Sequence, residues 1–146
     1  MRKKQFGSYA LIFCCRYSSD VVVGALGRVI LEPGWLVYVG SAFGPGGIES
    51  RISHHKRPSD NPHWHIDYIK PYVDLVKIFT TTKRIEHKLA QILINSPKAK
   101  LLKRGFGSSD CNCNTHLIHF ESFSSIEGII KLLHSSSLSR QTYTAI

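Results

Sequence analysis

Two runs of β-forming residues, each opened by a glycine and free of breakers, constrain this chain more than anything else in it. Gly7 to Arg16 is the first, and Gly34 to Ser41, with Trp35, Val37, Tyr38 and Val39, repeats its character. Both are expected as strands. Between them, Val21 to Val23 and Arg28 to Leu31 either extend those strands or form a small hairpin around Gly24 and Gly27. After Ser41 comes Phe43-Gly-Pro-Gly-Gly47, a turn able to bring backbone N–H groups close to a ligand, and then Ile48 to His55, which reads as a short helix. The order is strand, glycine loop, helix.

Pro58 to Pro62 interrupts the chain, and His63 to Lys70 resumes with aromatic and apolar residues. Val73 to Thr80 supplies a third strand. Lys83 to Asn95 follows as a helix, because Ile85, Leu89, Ile92 and Leu93 fall at helical spacing and form a stripe that can pack on a sheet, with Glu86 beside it. Gly105 to Asn114 reads as a polar loop, Leu117 to Phe120 as a last short strand and Ile126 to His134 as a last helix. At 146 residues and 42% hydrophobic composition the chain has the size and the apolar content of one domain, expected over 1–134. Residues 135–146 are Ser-rich with little to bury and are expected as a mobile tail.

Charge narrows the class of partner. Nineteen Lys and Arg oppose ten Asp and Glu, a net charge of +9, which favours a polyanion, since cationic side chains near phosphates release condensed counterions. Met1-Arg-Lys-Lys4 followed by Tyr9 to Cys15 imitates a signal peptide, but Arg16 closes the apolar run and no small-residue cleavage site follows. No stretch approaches the roughly 18 apolar residues that cross a bilayer. A cytoplasmic protein without a membrane partner is expected, with its four cysteines reduced: Cys14 and Cys15 are adjacent in a strand, and Cys111 and Cys113 lie in a polar loop.

Gly7-Ser-Tyr9, Val37-Tyr-Val-Gly-Ser41, Arg51 with His55 four residues on, and Glu86 on a later helix occur in that order. The set resembles the GIY-YIG nucleases, with Gly-Ser-Tyr for Gly-Ile-Tyr and Tyr-Val-Gly for Tyr-Ile-Gly. The phrases Tyr38-Val-Gly-Ser-Ala-Phe43, His63-Trp-His-Ile-Asp-Tyr68 and Gly105-Phe-Gly-Ser-Ser-Asp-Cys111 are similar to the Uri-type branch of small stand-alone members, over about Gly7 to Phe120. The resemblance implies an α/β fold, a small central, mainly antiparallel three-stranded sheet flanked by helices. It also implies a divalent-metal-dependent endonuclease hydrolysing phosphodiester bonds, in DNA before RNA. A non-cleaving nucleic-acid-binding module on the same fold is the alternative.

The resemblance gives Tyr9, Tyr38, Arg51, His55 and Glu86 the catalytic roles. Glu86 would hold Mg²⁺ or Mn²⁺, since one carboxylate and several waters commonly hold such an ion when a substrate phosphate completes its shell. Arg51 offers a planar fork to phosphate at any working pH. His55, one helical turn on, falls on the same face and can accept a proton from Tyr38 or water, with an unperturbed pKa near 6.5, while His54 points elsewhere. Either tyrosine serves as base only if its pKa near 10 is lowered; otherwise it orients water. Gly40, Ser41, Lys56, Arg57, His63 and His65 are assigned to nucleic-acid contact. His63, Trp64 and His65 would line the groove or hydrogen-bond the Ser108 to Asp110 loop, and Asp67 would orient a neighbouring histidine. The Asn that relatives carry after the Glu helix has three candidates here, Asp110, Asn112 and Asn114. His63, His65, Cys111, Cys113 and His116 invite a zinc reading, but Cys-x-Cys-x-x-His and His-x-His are not knuckle spacings, which argues against structural zinc.

Overall fold

A computed structural model describes residues 4–107, 113–135 and 139–142. The expected strands form and pair. Strand β1 (Gly7–Cys15) lies antiparallel between β4 (Gly34–Ala42) and β5 (Asp74–Thr81), with Tyr9 opposite Gly40 and Leu11 opposite Tyr38. β1 carries apolar side chains on both faces because both are covered, so its sequence reads as a continuous run and not as an alternation.

The sheet is wider than the three strands expected. Its order is β6 (Lys100–Leu101), β7 (Leu117–Phe120), β4, β1, β5, β8 (Ser139–Thr142), six strands joined by antiparallel ladders. The extension has a physical cause on each side. β4 is buried on both faces and needs a ladder partner beyond β1, which β7 supplies from Trp35 opposite Phe120 to Tyr38 opposite Leu117. On the other side the outer edge of β5 is covered by Ser139–Thr142, which the sequence placed in the tail: Arg140 and its neighbours pair through the backbone, a demand that composition does not reveal.

The segment between β1 and β4 takes the hairpin alternative. β2 (Ser19–Val23) and β3 (Gly27–Leu31) form a separate two-stranded ribbon around a short 3₁₀ turn at Gly24–Leu26. Strict alternation turns Val21, Val23, Val29 and Leu31 inward and leaves Val22 and Ile30 exposed.

The helices flank the sheet. On one face, α1 (Gly47–Lys56), α2 (His65–Ile69) and the ribbon cover Tyr9, Leu11, Phe13, Leu36 and Tyr38. On the other, Leu89 and Leu93 of α3 (Glu86–Ile94) and Ile129 of α4 (Phe123–Ser135) pack on Ala10, Ile12, Val37, Val39 and Phe79. The helix expected from Lys83 begins three residues later, because Lys83 to Ile85 are tied to β1: Ser8 Oγ donates to the Lys83 carbonyl (2.9 Å) and accepts from the Ile85 N–H (3.1 Å). No helix among the described residues is long and apolar enough to cross a membrane.

Candidate active site

Steric facts in the two glycine-tyrosine segments set the site. A Cβ on Gly40 would stand 2.3 Å from the Tyr9 ring, so the ring lies across the neighbouring strand only because that position has no side chain. A Cβ on Gly7 would stand 1.8 Å from the Thr81 carbonyl oxygen, so the β1–β5 ladder closes tightly there. Ser8, facing the opposite way from Tyr9, pins the turn before α3. One tripeptide therefore fixes the Tyr9 ring and, through Ser8, the start of the helix that carries Glu86. In the sequence Ser8 stands only as the middle residue of the Gly7-Ser-Tyr9 motif, with no role of its own; its place between Gly7 and Tyr9 was the available signal.

The glycine loop delivers α1 against these strands. Gly46 and Gly47 adopt left-handed backbone (φ 86° and 65°), and the Ile48 N–H donates to the Gln5 carbonyl at 2.8 Å. Arg51 and His55 then face the tyrosines. The Tyr9 hydroxyl and His55 Nε2 share a buried hydrogen bond of 2.7 Å, and the ring centroids of Tyr9 and Tyr38 are 6.4 Å apart, those of Tyr38 and His55 6.2 Å. The Arg51 guanidinium lies 4.1 Å from the centre of the Trp64 ring, a cation–π contact that holds its fork beside the tyrosines. Four of the five expected catalytic side chains thus meet in one place.

Burial dominates the electrostatics. Tyr9, Tyr38 and His55 are 1%, 5% and 3% exposed. Burial pushes the Tyr9 phenol up, and the charge and hydrogen bond of Arg51 offset only part of that; Tyr38 is likewise raised well above its ordinary value, by burial and by the neighbouring Tyr9 and Glu86. Neither is a ready phenolate. Burial drives His55 down to about 3, helped by Lys70 and Arg51, so its imidazole is neutral across the working range. His55 Nδ1 is buried without a hydrogen-bond partner, an arrangement that costs about 1–3 kcal/mol.

Asp67 does orient a histidine, and it is His54: Oδ1 meets His54 Nε2 at 2.9 Å and the Lys70 ammonium at 3.2 Å. Oδ2 accepts the N–H groups of His63 and Trp64, capping α2. Burial alone would raise this carboxyl, but those two N–H groups, with His54 and Lys70, hold it at about 2. Lys70 also donates to the His54 and Arg57 carbonyls, fastening the end of α1 to α2. His54 is therefore a structural partner of the site, a role the sequence did not show.

The residues expected at nucleic acid separate. Gly40 is buried under Tyr9 and offers no surface, which corrects its assignment to a contact. Ser41 is half-buried, and Lys56 and Arg57 are exposed at the end of α1. His63 is exposed and packs its ring on Trp64 at 4.7 Å. His65 Nδ1 accepts the Gly107 N–H at 2.7 Å and its ring packs on Phe106, so His65 holds the loop at Phe106 and Gly107. Ser108 to Asn112, with Asp110, Cys111 and the Asn112 candidate, lie outside the described residues. Asn114 pairs its side-chain oxygen with Arg104 at 2.7 Å.

Glu86 opens α3 at this same end of the sheet and is near enough to act on both tyrosines by charge. Its Oε1 meets His87 Nε2 at 3.1 Å and its Oε2 lies 3.6 Å from His116 Nδ1. Cys113, His87 and His116 each bring one donor atom within 4.8 Å of the others. The Cys/His cluster noticed in the sequence is thus regrouped: Cys113 and His116 remain, His63 and His65 are elsewhere, and His87 joins from α3. Cys14, Cys15 and Cys113 are all thiols.

The chain belongs to the DUF123 family, described as a domain of unknown function, whose family model matches residues 8–138. No curated protein and no solved structure matches it.

Proposed function

We propose that this member of the DUF123 family is a nuclease of the GIY-YIG kind, a hydrolase of phosphodiester bonds acting on DNA. The observation that carries the reading is the meeting of Tyr9, Tyr38, Arg51 and His55, residues far apart in sequence, around one hydrogen bond and one positioned guanidinium. The net charge of +9 supplies the long-range attraction for a polyanion.

Arg51 is the phosphate-binding group: its fork suits two phosphoryl oxygens and stabilises the negative charge that grows in the transition state. Tyr9 and Tyr38, held protonated by burial, orient water and phosphate by hydrogen bonds. Proton movement runs from the attacking water to the Tyr9 oxygen as the Tyr9 proton passes to His55 Nε2. An arriving phosphate favours that step, because its negative charge opposes the burial that keeps His55 neutral.

The resemblance assigns Mg²⁺ or Mn²⁺ to Glu86. The residues around that carboxylate do not fit a magnesium shell: its neighbours are two imidazoles, with a thiol beside them, where magnesium takes oxygen donors and several waters. The burial of all three ring side chains favours a second reading, a nucleic-acid-binding module that does not cleave.

Single-turnover assays on supercoiled, linear, single-stranded and branched DNA and on RNA, with Mg²⁺, Mn²⁺ or Zn²⁺, separate the two. Cleavage that falls about 10²-fold or more in Arg51→Ala with saturating enzyme supports the nuclease. Intact substrate under every condition, with salt-sensitive binding, supports the binding module.

A further inference from the structure

The cluster at the start of α3 joins two elements that are distant in sequence. His87 is exposed on the first turn of that helix, immediately after Glu86. Cys113 is half-buried just before β7, and His116, 1% exposed, immediately precedes that strand. One donor atom from each lies within 4.8 Å of the other two. Around a tetrahedral zinc ion, with Zn–N of about 2.0–2.1 Å and Zn–S of about 2.3 Å, neighbouring donors stand about 3.3–3.6 Å apart. Closing that difference asks for a shift of roughly an ångström or a little more, which an exposed helix side chain and a loop cysteine can supply.

The surroundings of the two imidazoles match the way metal-binding histidines are held. His116 Nδ1 lies 3.1 Å from the Val39 carbonyl, which can only accept, so Nδ1 carries the hydrogen and the lone pair of the neutral ring is on Nε2. That carbonyl belongs to β4, whose neighbouring residue is Tyr38. One oxygen of the Glu86 carboxylate lies 3.1 Å from His87 Nε2, within hydrogen-bond distance, and the other stands 3.6 Å from His116 Nδ1, adding negative charge beside that ring. A carboxylate and a backbone carbonyl behind ligating imidazoles fix ring orientation and raise the basicity of the nitrogen that faces the ion.

We infer that His87, Cys113 and His116 form a binding site for a borderline-soft divalent cation, zinc in the first place, with the Glu86 carboxylate orienting His87 and the Val39 carbonyl orienting His116. Two imidazoles and a thiolate are the donors such ions select, and three protein ligands leave a fourth position for water or an incoming oxygen atom. The ring contact between His87 and His116, with centroids 5.7 Å apart at 71°, brings the two rings together edge to face without stacking them. The site stands whether or not the chain cleaves nucleic acid, and its test reads the metal and not the cleavage.

The full chain, purified without chelator and dialysed, is measured for bound metals by elemental analysis. It is then stripped, loaded with Co²⁺ and read by absorption spectroscopy. One zinc per chain, and a thiolate-to-cobalt charge-transfer band that disappears in Cys113→Ser, are the expected results. Zinc affinity, from competition with a chromogenic chelator, falls at least about tenfold in Glu86→Gln and further in His87→Ala. His87 is exposed, so His87→Ala serves as the ligand-removing variant that retains the fold, checked by circular dichroism. Wild-type protein with no stoichiometric zinc and no charge-transfer band with Co²⁺ overturns the site, as does a His87→Ala protein that binds zinc with wild-type affinity. Absent DNA cleavage in a protein that binds zinc as expected would count against the nuclease reading alone.

Discussion

His55 buries a titratable ring among Tyr9 on β1, Tyr38 on β4, Arg51 and His54 on its own helix, and Trp64, Asp67 and Lys70 from α2 and its end. That makes it the clearest source of pH-dependent stability in the fold. The unfolded chain protonates this residue near its ordinary value of 6.5, whereas the folded chain resists until about 3. Between those values the unfolded state binds the extra proton, so stability is fully present above 6.5 and is lost as the pH falls towards 3. The difference of about 3.5 units corresponds to about 5 kcal/mol at the acid end, and linkage places about 2 kcal/mol of loss already at pH 5. At that pH Asp67, held at about 2, is still ionised in the folded chain and mostly ionised in the unfolded one, so the carboxylate contributes little. Burial lowers His65 and His116 as well and gives a slope of the same sign, which is why a variant is needed to isolate His55. The assay is urea unfolding at pH 7.5, 6 and 5 for wild type and His55→Gln, which titrates in neither state. Whatever the variant costs at pH 7.5, its stability should fall by about 2 kcal/mol less than wild type on going to pH 5. Parallel pH profiles would refute the reasoning and place His55 in contact with solvent or with a charge-compensating group.

Gly40→Ala forces a methyl group into the Tyr9 ring and should cost about 1–3 kcal/mol by chemical denaturation, with loss of any activity that depends on Tyr9. Ser8→Ala removes both hydrogen bonds to the turn before α3; a loss of about 1–3 kcal/mol is expected, along with faster amide exchange at Ile85. Duplex DNA binding should weaken steeply with salt, and a flat salt titration by fluorescence anisotropy would exclude the electrostatic account.

The sequence was legible where local pattern and tertiary need coincide. The runs opening at Gly7 and Gly34, the glycine loop, the helix after it and the apolar stripe through Leu89 and Leu93 each announced an element that forms. The joining of Tyr9, Tyr38, Arg51 and His55 was expected from the resemblance to the GIY-YIG motif order, to which spacing alone added that Arg51 and His55, at i and i+4, share a helix face. The width of the sheet was not: β6 has two residues and β8 is polar, and each exists because a neighbouring edge has backbone groups to satisfy. The electrostatics of the site were unreadable for a related reason. A histidine beside an arginine and a lysine-rich surface suggests a base near 6.5, but its pKa is decided by how completely Trp64, Tyr9 and Tyr38 exclude water from the ring, and only packing reveals that.

The Cys/His cluster shows the same limit from the other side. Spacing rules for metal sites describe ligands that come in pairs from one short turn, and Cys113 with His116 fits no such pair. Such a rule does not see a third donor that arrives from α3, and α3 is brought there by Ser8, which holds the turn before Glu86, and by Leu89 and Leu93, which seat the helix on Val37 and Val39. The residues that assemble the cluster are thus apolar or hydroxylic and bear no mark of metal chemistry. A consequence follows for Glu86. The same helix seat that brings its charge near enough to act on Tyr9 and Tyr38 places the carboxylate beside His87 and His116, so anything that shifts α3 by an ångström moves the tyrosine cluster's electrostatics and the donor set together.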